Sequence, residues 1–349
     1  MVSPGVFRIL FAGLVVLHHS TPLRLGGWAV LVFFVLSGYW ISKMWDEKYS
    51  NAPKPVLTFI VSRWWRLFPV MAICICLYFL WAGAMQGYSL DWFLRQLPII
   101  GSTWSGTPLP PQWSLDVEMQ FYLAFVFVAV VAMGSGAKWI SSGSVWLFLG
   151  SLGVAYSGWY LATGGSMEAP YLGAWWGLFC IGIGLHKSEW TPSKHMAVAL
   201  AAVFVAGTLA MIIWPETRSG FWISGSEAVS RKLSGEGLIA HWPKLWLLAG
   251  ILMFVPYLAL NVRQPSPRWD RELGNWAYPV YMFHWIPRDW YYAHADWERP
   301  VWFNLGLLSV NIFAAFLGGW LIYVFVDKPV DRWRAHWLKA RLRSPGSAN

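Results

Sequence analysis

Long apolar runs, separated by short stretches rich in Pro, Gly and charged residues, dominate the pattern of this chain. Ten runs stand out, at roughly 6–20, 28–44, 67–85, 113–134, 145–163, 171–186, 195–214, 244–260, 276–290 and 301–325. A helix of about 20 apolar residues crosses the hydrocarbon core of a bilayer, so each run is a candidate span. The pattern predicts an all-α polytopic membrane protein of about ten helices. It places one transmembrane domain over residues 1–335 and a basic tail over 336–349.

Composition agrees. The 349 residues are 57% hydrophobic and 12% charged, about half the charge of an ordinary soluble domain. The N-terminus has neither a basic leader region nor a small-residue cleavage site, so the first run reads as a span. Cys74 and Cys76 lie two apart on one helix and point in nearly opposite directions. With Cys180 they read as small buried hydrophobes, and no metal-ligand set is read in the chain.

The net charge of +9 takes its meaning from where it lies. With the N-terminus inside, the inner segments hold 17 Lys and Arg and the outer ones 8. That bias predicts both termini cytoplasmic and a multi-pass protein of the cell (inner or plasma) membrane. The basic excess is then a topology signal, and nucleic acid is not indicated.

Polar residues inside the runs are the candidate chemistry, because ionisable groups in a membrane helix are costly and face a protein or aqueous interior. The first run, FRILFAGLVVLHHS, carries Arg8 near its start and His18–His19 near its end. An offset of eleven residues brings Arg8 and His19 within ~20° of one helix face, about 16 Å apart along the axis. His18 lies ~80° away. In the second run Gly38 follows Ser37, a pair suited to close helix packing. Arg63 and Arg66 share a face of SRWWRLFP, where they serve either as an orientation signal or as a phosphate clamp. The segment GSTWSGTPLPPQ reads as an ordered lid and leads into WSLDVEMQFY, whose Trp113, Ser114, Asp116 and Glu118 begin the fourth run. Asp116 suits a helix start; Glu118 suits that role less well. Tyr281 and His284 are i,i+3 in YPVYMFHWIP. The polar stretch 214–242 reads as the acceptor-binding lid.

Taken together, Arg8-x10-His19, FFVLSGY (33–39), RWWRLFP (63–69), WSLDVEMQFY (113–122), YPVYMFH (278–284) and VDKP (326–329) occur in the order found in the acyltransferase-3 family. The chain resembles that family over most of its length. One departure is Leu31, where many members have an acidic residue two before the Phe-Phe pair. The resemblance implies transfer of an acyl group from cytoplasmic acyl-CoA to a glycan or lipid hydroxyl on the outer side. It implies that the Arg8–His19 pair is essential, that Arg63 and Arg66 serve the donor, and that Glu118 is a key polar residue. The chain ends after its last run, so acceptor chemistry is expected from the membrane domain itself.

Acyl transfer to a hydroxyl needs a base and a means of steadying the oxyanion. His19 is the expected base and Glu118 its expected orienting carboxylate. Arg8, Arg63 and Arg66 are expected to bind the donor. His18, Ser37, Trp113, Ser114, Asp116, Tyr281 and His284 are the acceptor or supporting residues. The expected partners are acyl-CoA, most simply acetyl-CoA as a co-substrate with no tightly bound cofactor, a surface polysaccharide or its lipid-linked precursor, and the bilayer. Self-association into a homo-oligomer is left open. The rival readings are a glycan or lipid-precursor transporter or flippase, which would show repeat symmetry, and a non-catalytic membrane partner or sensor.

Overall fold

In the computed structural model, residues 1–104, 109–136, 138–222, 241–296 and 298–343 are described. The helices run in the order α1 (Pro4–Ser20), α2 (Gly26–Met44), α3 (Pro55–Gln86), α4 (Leu90–Gln96), α5 (Gln112–Ser135), α6 (Gly143–Ala162) and α7 (Trp176–Ser188). They continue with α8 (Lys194–Ile213), α9 (Pro215–Arg218), α10 (Trp242–Asn261), α11 (Arg268–Phe283), α12 (Trp285–His294), α13 (Val301–Ile322) and α14 (Lys328–Arg343). The described residues contain no strand, and one isolated bridge joins Leu23 to Trp222. Seven helical stretches are long and apolar enough to cross a membrane: α2, α3, α5, α6, α8, α10 and the continuous α13–α14. The other three predicted runs correspond to α1, α7 and α11, of 17, 13 and 16 residues.

The packing shows why short helices are stable here. α2 lies at the centre, and α7, buried from Gly177 to Leu185, is wedged between α2 and α6. The approach is backbone to backbone. A Cβ on Gly38 would stand 2.1 Å from the Phe179 carbonyl oxygen, and one on Gly182 would stand 2.0 Å from that of Val35. Small residues at such crossings are how membrane helices gain close packing without a hydrophobic driving force. Gly38 is thus the packing residue expected from its place after Ser37.

Contacts between loops support the alternating topology. Asp46 meets His186 and Lys187, Arg263 donates to the Trp190 and Leu185 carbonyls, and the Asn261 amide donates to the Val2 carbonyl. All of these residues belong to the basic side. On the opposite side Lys244 donates to Gly165 O, Tyr78 to Asp289, and Arg24 N to Phe221 O. The N-terminus and α14 lie together at the basic side, where both border one large cavity.

Three elements differ from expectation. α3 begins at Pro55, so SRWWRLFP lies within a 32-residue helix, about 48 Å long. The α13–α14 helix runs for 42 residues, about twice the length a bilayer core needs, and passes residue 335 without a break. These two helices project together on the basic side, with Trp65 against Trp333 at 4.7 Å and Arg334 donating to Ser62 at 3.1 Å. The run 276–290 is divided at His284 into α11 and α12. Pro287 lacks the N–H that would bond Phe283, which favours a break there. Most of the stretch 214–242, at residues 223–240, lies outside the described residues.

Candidate functional site

α1 carries polar residues at both ends, and each end opens on a different cavity. At the basic end a cavity of about 780 Å³ lies between α1, α2, α3, α5, α11 and α14. At the other end a small cavity of about 10 Å³ is lined by His19, Val30, Pro111, Trp113, Tyr281 and His284, with Glu168 at its edge. Val30 and Tyr281 line both.

The register of α1 is fixed at its first turn by Asp270 of α11, a fully buried carboxylate. It accepts from Gly5 N and Val6 N, each at 3.0 Å, and from the Ser3 and Ser266 hydroxyls. Donors at a helix N-terminus favour a carboxylate by charge and by geometry. A Cβ on Gly5 would lie 1.7 Å from the Asp270 carbonyl oxygen, so no other residue fits. At the far end the Asn311 amide donates to the Ser20 hydroxyl at 2.7 Å. Nothing in the local pattern marks Asp270, because its partners on and before α1 lie about 265 positions away.

Arg8 lines the large cavity with its guanidinium over the Trp40 ring, 5.5 Å from the centroid. Arg63 and Arg66 also line it, and both are engaged. Arg66 makes a two-pronged ion pair with Asp327 of the VDKP stretch, at 2.7 and 2.9 Å. Arg63 donates to the Tyr49 hydroxyl at 2.7 Å, and Tyr49 in turn bonds Ser62. The lining holds eight basic side chains against four acidic ones, a surplus that suits a large anionic ligand.

Glu118 belongs to this large cavity. Its carboxylate accepts from the Ser37 hydroxyl at 2.7 Å and from the Tyr122 hydroxyl. The expected partnership of Glu118 with His19 is therefore not what the fold assembles: the two line different cavities. Helix periodicity places both in the outer half of their spans, but it carries no information about which way α5 is rotated against α1. Asp116 is a fully buried anchor that accepts from Gly101 N at 3.0 Å, Thr103 Oγ1 at 2.6 Å and Gln120 Nε2 at 2.9 Å. Those bonds tie the GSTW segment to α5. Four residues of the expected lid, 105–108, lie outside the described residues.

His19 packs among rings. His284 stacks on it with centroids 5.3 Å apart, Trp285 meets it edge-on at 4.8 Å, and His18 at 4.6 Å. His284 is fully buried; its Nδ1 bonds the Tyr281 carbonyl at 2.5 Å and its Nε2 has no partner. Arg288, stacked between Trp285 and Tyr292, reaches the His19 carbonyl at 3.4 Å. Tyr281 forms the partition. Its hydroxyl donates to the Pro111 carbonyl at 3.0 Å and bonds the Ser114 hydroxyl at 2.8 Å. Pro111 lines the small cavity and Ser114 the large one.

His18, His19 and Glu168 bring donor atoms within 4.8 Å of one another and are, among the described residues, the set that could hold a metal ion. Ligand nitrogens on zinc stand about 3.4 Å apart, so the set would have to contract. Arg24 acts electrostatically on all three and Arg288 on His19, which opposes a divalent cation. Glu168 and Arg288 were not singled out by sequence reasoning; one lies in a short loop and the other near the end of a run.

Comparison with known proteins gives a consistent picture. The family model described as Acyltransferase domain matches residues 2–323. The O-acetyltransferase OatA of Staphylococcus aureus strain NCTC 8325 / PS 47 is 28% identical over 142 residues, covering 36% of this chain and 24% of the relative. The same protein of strains COL and MRSA252 matches with the same values. The chain thus spans about a quarter of the length of these relatives. No solved structure matches.

Proposed function

The chain belongs to the acyltransferase-3 family and is a membrane acyltransferase, and from that premise we propose that it moves an acetyl group from acetyl-CoA on the basic side to a hydroxyl of a surface or exported polysaccharide, or its lipid-linked precursor, on the other. The observation that carries this reading is α1 itself. One helix presents Arg8 to a large cationic cavity and His19 to a small imidazole-lined one, with only Tyr281 and Val30 shared between them.

The donor's phosphates sit among the arginines of the large cavity, of which Arg8 is the one carried on α1. Glu118, already accepting from two hydroxyls, stands on the donor's route, where an acceptor-only carboxylate suits the amide N–H groups of a pantetheine arm. At the partition the acceptor hydroxyl gives its proton to the His19 imidazole. Its oxygen bonds the acyl carbon, the carbon–sulfur bond breaks, and the departing thiolate takes a proton in turn. Binding the donor by its nucleotide and reacting it at its far end lets remote contacts hold the thioester in place.

The test is transfer of label from [14C]acetyl-CoA into membrane-retained glycan, with wild type and His19→Ala at matched expression. Label with wild type alone supports the reading. Label in both removes His19 from the chemistry, and label in neither refutes acetyl-CoA as donor.

A further inference from the structure

The small cavity holds a carboxylate that the reaction as outlined does not use. Glu168 lies in the loop between α6 and α7, at the edge of the cavity that contains His19. Its Oε1 is 4.0 Å from His18 Nε2, and its carboxylate lies within 4.8 Å of the nearest nitrogens of both histidines. His18 Nδ1 is buried with no hydrogen-bond partner.

The other charges around this pair are two guanidiniums, one of which, Arg288, is itself paired with Asp289 of α12 at 2.6 Å. Arg24, in the loop after α1, acts on His18, His19 and Glu168, and Arg288 of α12 acts on His19 and His284. Tyr281 of α11 and His284 just beyond it add a phenol and an imidazole to the lining. A base that takes a proton here becomes a cation beside Arg24 and the Arg288–Asp289 pair. Opposite charge within about 4–6 Å is what makes such a cation tenable. Glu118, the other carboxylate with a claim, is committed to Ser37 and Tyr122 across the partition.

We propose that Glu168 is the carboxylate partner of the His18–His19 pair, the residue that holds positive charge on the imidazoles when the acceptor proton arrives. It acts through the histidines, so it is a positioning residue, and its role in transfer rests on the function proposed above. The Glu168 side chain is half-exposed at the edge of the cavity, with Arg24 acting on it. A carboxyl poised in this way responds to the charge of its neighbour. The pairing also gives His18 a task. It lies off the Arg8–His19 face, yet it is the imidazole nearest the carboxylate.

The experiment follows carbethoxylation of His18 and His19 against pH by peptide mass spectrometry, on the full-length protein in lipid vesicles, using wild type, Glu168→Gln and Glu168→Asp. Glu168→Gln should lower the half-point of His18 modification by about one pH unit, and Glu168→Asp should restore most of it. An unchanged half-point in Glu168→Gln overturns the pairing, whatever the activity. Acetyl transfer is measured on the same vesicles. Glu168→Gln should lose at least about tenfold, with a displaced pH optimum. A shifted titration with wild-type transfer would leave the pair without a role in the reaction and refute the proposal. A shifted titration with no transfer even by wild type would refute the proposed donor or acceptor while the pairing stands.

Discussion

The two ends of α1 make a natural comparison. At the basic end Arg8 faces a cavity of about 780 Å³ in which three basic side chains are paired, Arg66 with Asp327, Lys328 with Glu272 and Arg334 with Asp331, and a basic surplus remains. At the other end His19 faces a space of about 10 Å³, hemmed by rings, with unpartnered nitrogens on His18 and His284. The first environment is roomy and cationic, as suits holding something large and anionic. The second is tight and electrostatically unfinished, as suits groups that must change protonation state. In the proposed reaction, binding and chemistry occupy opposite ends of one 17-residue helix.

The sharpest way to break this comparison is His19→Ala. Acetyl transfer should fall by about 10²–10⁴-fold, the usual worth of a positioned base, while acetyl-CoA affinity, read by calorimetry, stays the same. His18→Ala should cost much less, since the carboxylate can still reach His19. Equal losses would merge the two histidines into one function.

Next in size is Arg66→Ala. It strands the Asp327 carboxylate, 4% exposed, and removing one partner of a buried pair costs about 3–5 kcal/mol. Thermal melts in detergent should show the loss, and Arg66→Ala with Asp327→Ala should recover most of it. Unchanged stability with a higher KM for acetyl-CoA would instead make Arg66 a ligand of the donor.

Tyr281→Phe keeps the ring in the partition and removes its bonds to Ser114 and Pro111, worth about 1 kcal/mol. A roughly fivefold slower transfer is expected, with donor affinity intact. The smallest effect should come from Arg332→Ala at the exposed mouth of the large cavity. There the KM for acetyl-CoA should rise about two- to fivefold and the difference should shrink at high salt, since exposed charges are screened. A salt-insensitive effect would argue against the mouth as an electrostatic funnel.

Much of this was legible in the chain. Apolar runs located the helices, and an eleven-residue offset within one of them placed Arg8 and His19 at opposite ends of a common path. Relations inside a helix obey a fixed period, so they can be computed. Relations between helices cannot. Arg66 and Asp327 are 261 positions apart and Ser37 and Glu118 are 81 apart. Only the packing of α3 against the α13–α14 helix, and of α5 against α2, decides those pairs. The expectation that Glu118 orients His19 rests on position along the helices alone, and the packing lines different cavities with the two. Asp270 and Glu168 were passed over because one sits before an apolar run and the other in a short loop, where a carboxylate ordinarily signifies solvation.

The partition at Tyr281 has a consequence for the cell as well as for the reaction. A bilayer stores an ion gradient, and any aqueous bore through it would drain that store. Here the conduit is interrupted by a phenol ring and a valine side chain, and in the proposed reaction the group delivered is a neutral fragment of two carbons, passed hand to hand. The nucleotide that carries it remains on its own side. A group can leave the compartment while its carrier and the protons around it stay behind, and the membrane keeps its voltage during the delivery.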